Sequence, residues 1–269
     1  MIQAVLFFGC SILASNGFAQ EGIEKLLFLI VASLLTSLVP AVFIHLLVKN
    51  KIPRKNLHVT TTKRSDRILL TAGSAALMFA VGVIYERLFP SASSSISVSF
   101  GTPIYMHIIA IIAYALIPAV VEELFFRYTI GGRMAICGKA TAVIISSTAF
   151  ALAHFSADVF PYAFISGVIL GILYFKTGSV LCTIIAHFFN NFTVYLFGCV
   201  KLIFNSTAYT AFETITTLAF FVVALVTVLF NSNFTLNAFS DDEDCAESVS
   251  ALTPMLVIYG AVAAVISIL

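Results

Sequence analysis

Tryptophan is absent from these 269 residues, and charge is scarce: acidic and basic side chains together make up 10% of the chain. A soluble domain carries about 25% charged residues, so a polar shell around a globular core is excluded. Net charge is +1 and no cluster interleaves basic with aromatic residues, which argues against a nucleic-acid partner. Cysteine is confined to Cys10, Cys137, Cys182, Cys199 and Cys245, a scattered set with no CxxC. Such a set reads as small apolar residues, not as a disulfide framework or a thiolate metal site. There is no HExxH zinc motif, no convincing internal repeat and no soluble domain. What remains is apolar: 60% of the residues are hydrophobic, 26 of them Phe, and mean hydropathy is +1.06. The expected fold class is all-α, a polytopic transmembrane bundle. Without Trp, any aromatic belt at its water interfaces falls to Tyr and Phe.

Apolar stretches near the length that a bilayer core demands lie at roughly 24–48, 67–87, 102–128, 140–155, 157–175, 179–200, 208–231 and 252–269. Residues 1–18 add a short first helix. A cleaved signal peptide is the alternative there, although no Lys or Arg precedes Lys25. Eight or nine helices are therefore expected. Between them lie a basic loop at 54–67, a Ser-rich loop at 90–99 and a polar segment at 231–250 with the acidic run 241–244, read as a solvated loop. With the amino terminus and the basic loop in the cytoplasm, every Lys and Arg except Lys25, Arg87 and Lys201 falls inside, as the positive-inside rule requires.

Against this apolar background three polar interruptions stand out. The first is Glu122-Glu123-Leu-Phe-Phe-Arg127. Residues four apart share a helix face, so Glu123 and Arg127 can pair. Glu122, about 100° away around the helix, faces something else and is left to do chemistry. The second is Phe150 with His154, and the third is His187-Phe-Phe-Asn190-Asn191. In the third, His187 and Asn191 share a face while Asn190 points elsewhere. At about 1.5 Å per residue from the nearest breaks, Glu122, His187, Asn191 and His154 lie roughly 16, 14, 20 and 24 Å along their helices. All four can meet inside the bilayer. Ionisable groups there are costly and mark a functional site by default.

EExxxR, then FxxxH, then HxxxN, in this order on successive membrane segments, resembles the CPBP intramembrane proteases. These are also called the CAAX prenyl protease/Abi family and include lysostaphin-resistance-like proteins. The resemblance covers about residues 100–200 and divides the chain into three parts. Residues 1–100 hold amino-terminal helices and the basic loop, 101–200 a catalytic core, and 201–269 carboxy-terminal helices with the acidic loop. It implies Glu122 as catalytic glutamate, His154, His187 and Asn191 completing the site, and Glu123, Arg127 and Phe150 supporting it. The implied activity is intramembrane hydrolysis of a peptide bond in a peptide or membrane-protein substrate.

Two chemistries fit these residues. In one, Glu122 activates water, His154 orients it, and His187 and Asn191 donate to the oxyanion. In the other, Glu122, His154 and His187 hold zinc with one open position. The first gives Asn191 a clearer task. Eukaryotic members act on prenylated CAAX peptides, whereas many bacterial ones are linked to bacteriocin immunity or to small peptides and membrane proteins. Short interhelical connections and the lack of a transit peptide read as bacterial, with a plasma-membrane location. The rival classes are a non-catalytic immunity or scaffold protein and an ion-coupled transporter. A transporter favours paired halves with broken helices, which this sequence does not display.

Overall fold

The computed structural model describes Cys10, Leu13 and residues 22–48, 63–90 and 101–230. Among the described residues seven helices carry the fold. Helix α1 joins Gly22–Ser33, Leu34–Leu38 and Val39–Val48, and α2 is Arg64–Leu88. The long α3 runs Ile104–Cys137. It is followed by α4 (Lys139–Leu152), α5 (Phe160–Thr177), α6 (Val180–Lys201) and α7 (Ser206–Phe230). No strand occurs among the described residues. All except α4 contain a span long and apolar enough to cross a membrane, so the chain is an integral membrane protein with a polytopic all-α fold. The expected spans at 1–18 and 252–269, the Ser-rich and acidic loops and most of the basic loop lie outside the described residues.

Two helices widen where a proline enters. Proline removes a backbone donor and crowds the carbonyl four residues earlier, and a local π-turn relieves this. Pro40 follows the π-helical Leu34–Leu38 in α1, and Pro118 follows Ile112–Leu116 in α3. A third π stretch, Glu123–Gly131, has no proline; within it the Thr129 hydroxyl donates to the Leu124 carbonyl five residues back at 2.9 Å. Helix α3 does not break at Gly131-Gly132 but continues through it.

Helix α4 corrects the reading of 140–155 as a span. It has 14 residues, about 21 Å, and ends at Leu152, so His154 lies in the turn beyond it. The Ala153 and His154 amides fold back on Phe150 and Ala151, and Phe155 takes a positive φ of 48°. Non-helical backbone at membrane depth persists only where protein surrounds it or a wet cavity adjoins it. Cys10, Cys182 and Cys199 are free.

Small residues set the tightest packing. A Cβ at Gly167 of α5 would come within 3.0 Å of the Ser147 backbone on α4, and one at Gly171 within 3.1 Å of Val143. This is a small-xxx-small contact of the kind that lets membrane helices approach closely. Helix α7 packs along α2, where Arg87 holds Glu213 at 2.7 Å, and presents Ile215, Leu218 and Leu229 outward. Replacing Gly167 with valine forces the α4–α5 pair apart, and such overpacking costs about 1–3 kcal/mol. Thermal unfolding in detergent should show a clear loss for Gly167→Val and a smaller one for Gly171→Ala; equal melting of both with wild type would contradict the packing.

Candidate active site

Glu123 sits at the junction of four helices. Its carboxylate is wholly buried, and a buried charge demands partners. Oε1 lies 3.1 Å from an Arg127 guanidinium nitrogen and 3.0 Å from His187 Nδ1. Arg127, equally buried, donates to the Gly167 carbonyl at 3.1 Å and lies over the Phe150 ring at 4.4 Å. The pairing of Glu123 with Arg127 is the one expected from their spacing. The anchoring of His187 by Glu123 was not legible in the sequence.

That anchor fixes the imidazole. A carboxylate only accepts, so Nδ1 carries the proton and Nε2 of the neutral ring is left with its lone pair. Nε2 points to Glu122, whose Oε2 is 3.9 Å away, too far for a hydrogen bond. Consecutive glutamates thus address the two nitrogens of one ring. Glu122 remains 22% exposed whereas Glu123 is sealed.

His154 arrives by a different route. Its Nδ1 donates to the Phe150 carbonyl at 3.0 Å, in the last turn of α4, which also accepts from the Ala153 amide at 3.2 Å. This holds the same tautomer as in His187 and leaves Nε2 with its lone pair. The Phe150 ring meets both histidines edge to face, at 5.0 and 5.8 Å between centroids. Phe150 therefore supports the imidazoles from one side and Arg127 from the other.

A cavity of about 190 Å³ receives these groups: Glu122, His154, His187 and Asn191 all line it, with Phe150 in its wall. Glu123 and Arg127 stand behind the wall. The four residues expected to meet do so. One expectation is corrected: Asn190 does not point elsewhere but lines the same cavity, and it is buried. Helix α5 supplies Tyr162 and Ser166 to this wall, neither singled out from the sequence. An isolated Tyr or Ser on an apolar helix carries no spacing signal, and only the fold brings them to the site.

Over residues 102–193 the chain matches the family described as Type II CAAX prenyl endopeptidase Rce1-like. That segment is similar to the family over about a third of the chain. It runs from the start of α3 into α6 and contains every residue that the three motifs singled out, in agreement with the resemblance they carry. No curated protein and no solved structure is matched significantly. The matched segment supplies most of the lining of a polar cavity inside an apolar bundle. The donor chemistry of a zinc site is present, yet Glu122, His154 and His187 do not gather into a group that would hold a metal ion, and no other such trio occurs among the described residues.

Removing one member of a buried ion pair strands the other charge, at a cost of about 3–5 kcal/mol, whereas replacing both with apolar residues can restore stability. Arg127→Met should therefore melt far below wild type in detergent, and Glu123→Leu/Arg127→Met should recover much of the loss. Recovered stability without recovered activity is the expected pairing, because His187 has then lost its anchor. Arg127→Met melting with wild type would show that the pair is not buried as described.

Proposed function

We propose that the protein is an intramembrane endopeptidase in which Glu122 activates water to hydrolyse a peptide bond of a CAAX-type, membrane-associated substrate. The observation that carries this reading is the unequal treatment of two adjacent glutamates. One is sealed against a guanidinium, and the other faces a cavity shared with two imidazoles and an amide.

Hydrolysis needs a base for water, donors for the tetrahedral oxyanion and a proton for the leaving amine. Glu122 takes a proton from water held against His154 Nε2. The resulting hydroxide attacks the substrate carbonyl carbon, and the carbonyl oxygen takes up the negative charge. Asn191 donates its amide N–H to that oxygen. His187 donates from Nε2 in its protonated form, with the Glu123 carboxylate behind it to stabilise the imidazolium. Collapse breaks the carbon–nitrogen bond, and the proton first taken by Glu122 goes to the departing amine. Water is consumed and one acid and one amine are released.

Cleavage of a prenylated peptide with its modified cysteine fourth from the carboxy terminus, by detergent-purified protein, tests this. Loss of a general base costs about 10²–10⁴ in rate. Glu122→Gln should lose activity on that scale while melting near wild type, whereas His187→Ala should lose activity and some stability together, because it strips a hydrogen bond from buried Glu123. Wild-type protein that leaves the peptide intact would defeat the substrate reading, and full activity in Glu122→Gln would defeat the base assignment.

A further inference from the structure

We infer that Asn190 is a positioning residue that sets which end of the Asn191 amide faces the reacting carbonyl, and that Tyr162 holds Asn190 in place. This rests on the oxyanion role proposed for Asn191. Asn190 Nδ2 lies 3.2 Å from Asn191 Oδ1 and 3.2 Å from the Tyr162 hydroxyl, while the Tyr162 hydroxyl donates to Asn190 Oδ1 at 3.3 Å. The two N–H bonds of the Asn190 amide are therefore both committed, one to each neighbour.

The consequence falls on Asn191. An amide has an accepting end and a donating end. With Asn191 Oδ1 taken by Asn190, the end left for the cavity is the N–H donor that an oxyanion needs. A reversed Asn191 would present its own carbonyl oxygen to the developing charge and repel it. Asn190 is nine-tenths buried, so water does not readily substitute for it.

Tyr162 is itself fixed. Its ring lies against Gly82 of α2, where an added Cβ would come within 3.1 Å, and it stacks with Tyr85 at 6.3 Å between centroids. Tyr85 in turn donates to the Asp158 carbonyl at 2.7 Å, in the turn after His154. A chain of contacts from α2 through α5 thus ends on the amide of Asn191. Preorganised donors are effective because they need not reorient during reaction.

A double-mutant cycle on the prenylated peptide separates this role from mere packing. Loss of a single oxyanion donor typically lowers rate by about 10²–10³, so Asn191→Ala should reduce kcat on that scale. Asn190→Leu, close to asparagine in shape, should lower kcat about tenfold with KM within about twofold. In the Asn191→Ala background the same change should do nothing further, because the residue it acts through is gone. Tyr162→Phe, which removes one hydroxyl only, should show a smaller loss with the same dependence on Asn191, and it keeps the test decisive should Asn190→Leu fail to fold. Multiplying losses in the double variants, or wild-type kcat in both Asn190→Leu and Tyr162→Phe, would overturn the relay while leaving the oxyanion role of Asn191 intact. Wild-type kcat in Asn191→Ala would overturn that role and the relay with it.

Discussion

A single carboxylate oxygen holds the centre of this molecule. Glu123 Oε1 accepts from His187 of α6 and pairs with Arg127 on its own helix, which in turn reaches the Gly167 backbone of α5 and the Phe150 ring of α4. In an apolar bundle no solvent compensates for a misplaced charge, so the geometry of these contacts is strongly enforced. The arrangement costs desolvation of both ions, which their mutual attraction offsets only when the contacts are good. In return, four helices are located relative to one another at the place where chemistry needs them. Stability and site geometry are the same set of contacts here.

The surrounding fold shapes space around that centre through backbone irregularities. Pro118 and the π-turn before it lie on the stretch of α3 leading into Glu122, and Pro118 itself lines the cavity. Helix α4 ends early, and in the turn beyond it the His154 ring donates to the Phe150 carbonyl, which also accepts from the Ala153 amide. A helix continued to residue 155 would have left His154 without that carbonyl to cap. Small residues do the opposite work: Gly167 and Gly171 draw α5 close against α4, which brings Tyr162 and Ser166 to the cavity wall.

Much of this was legible in the sequence, for a physical reason. In a chain with so few ionisable groups, any that interrupt an apolar span announce themselves, so Glu122, Glu123, Arg127, His154 and His187 needed no structure to be noticed. The i, i+4 rule correctly paired Glu123 with Arg127. The same rule failed for Asn190, because it describes one helix, whereas the neighbour that turns Asn190 inward is Tyr162 of α5. The length of α4 was misread because hydropathy continues through Ala153 and Phe155 after the helix has ended. The tether between Glu123 and His187 joins residues 64 positions apart, and no local pattern encodes it.

The two glutamates also bear on what kind of protein this is. An ion path asks for groups that share one environment along a route. Here neighbouring carboxylates of identical chemistry are driven into opposite environments, one sealed against a guanidinium and an imidazole, the other left open to a cavity of about 190 Å³. At about 30 Å³ of liquid volume each, that space corresponds to a handful of waters, or to a water and a peptide group. Dividing labour between like residues by environment is how proteins assign distinct roles in general acid–base chemistry. The imidazole between them strengthens the point, since its anchored Nδ1 makes Nε2 a directional partner for whatever Glu122 holds. Such a site suits one small polar reactant held in a fixed orientation, which favours the proposed hydrolysis over conduction.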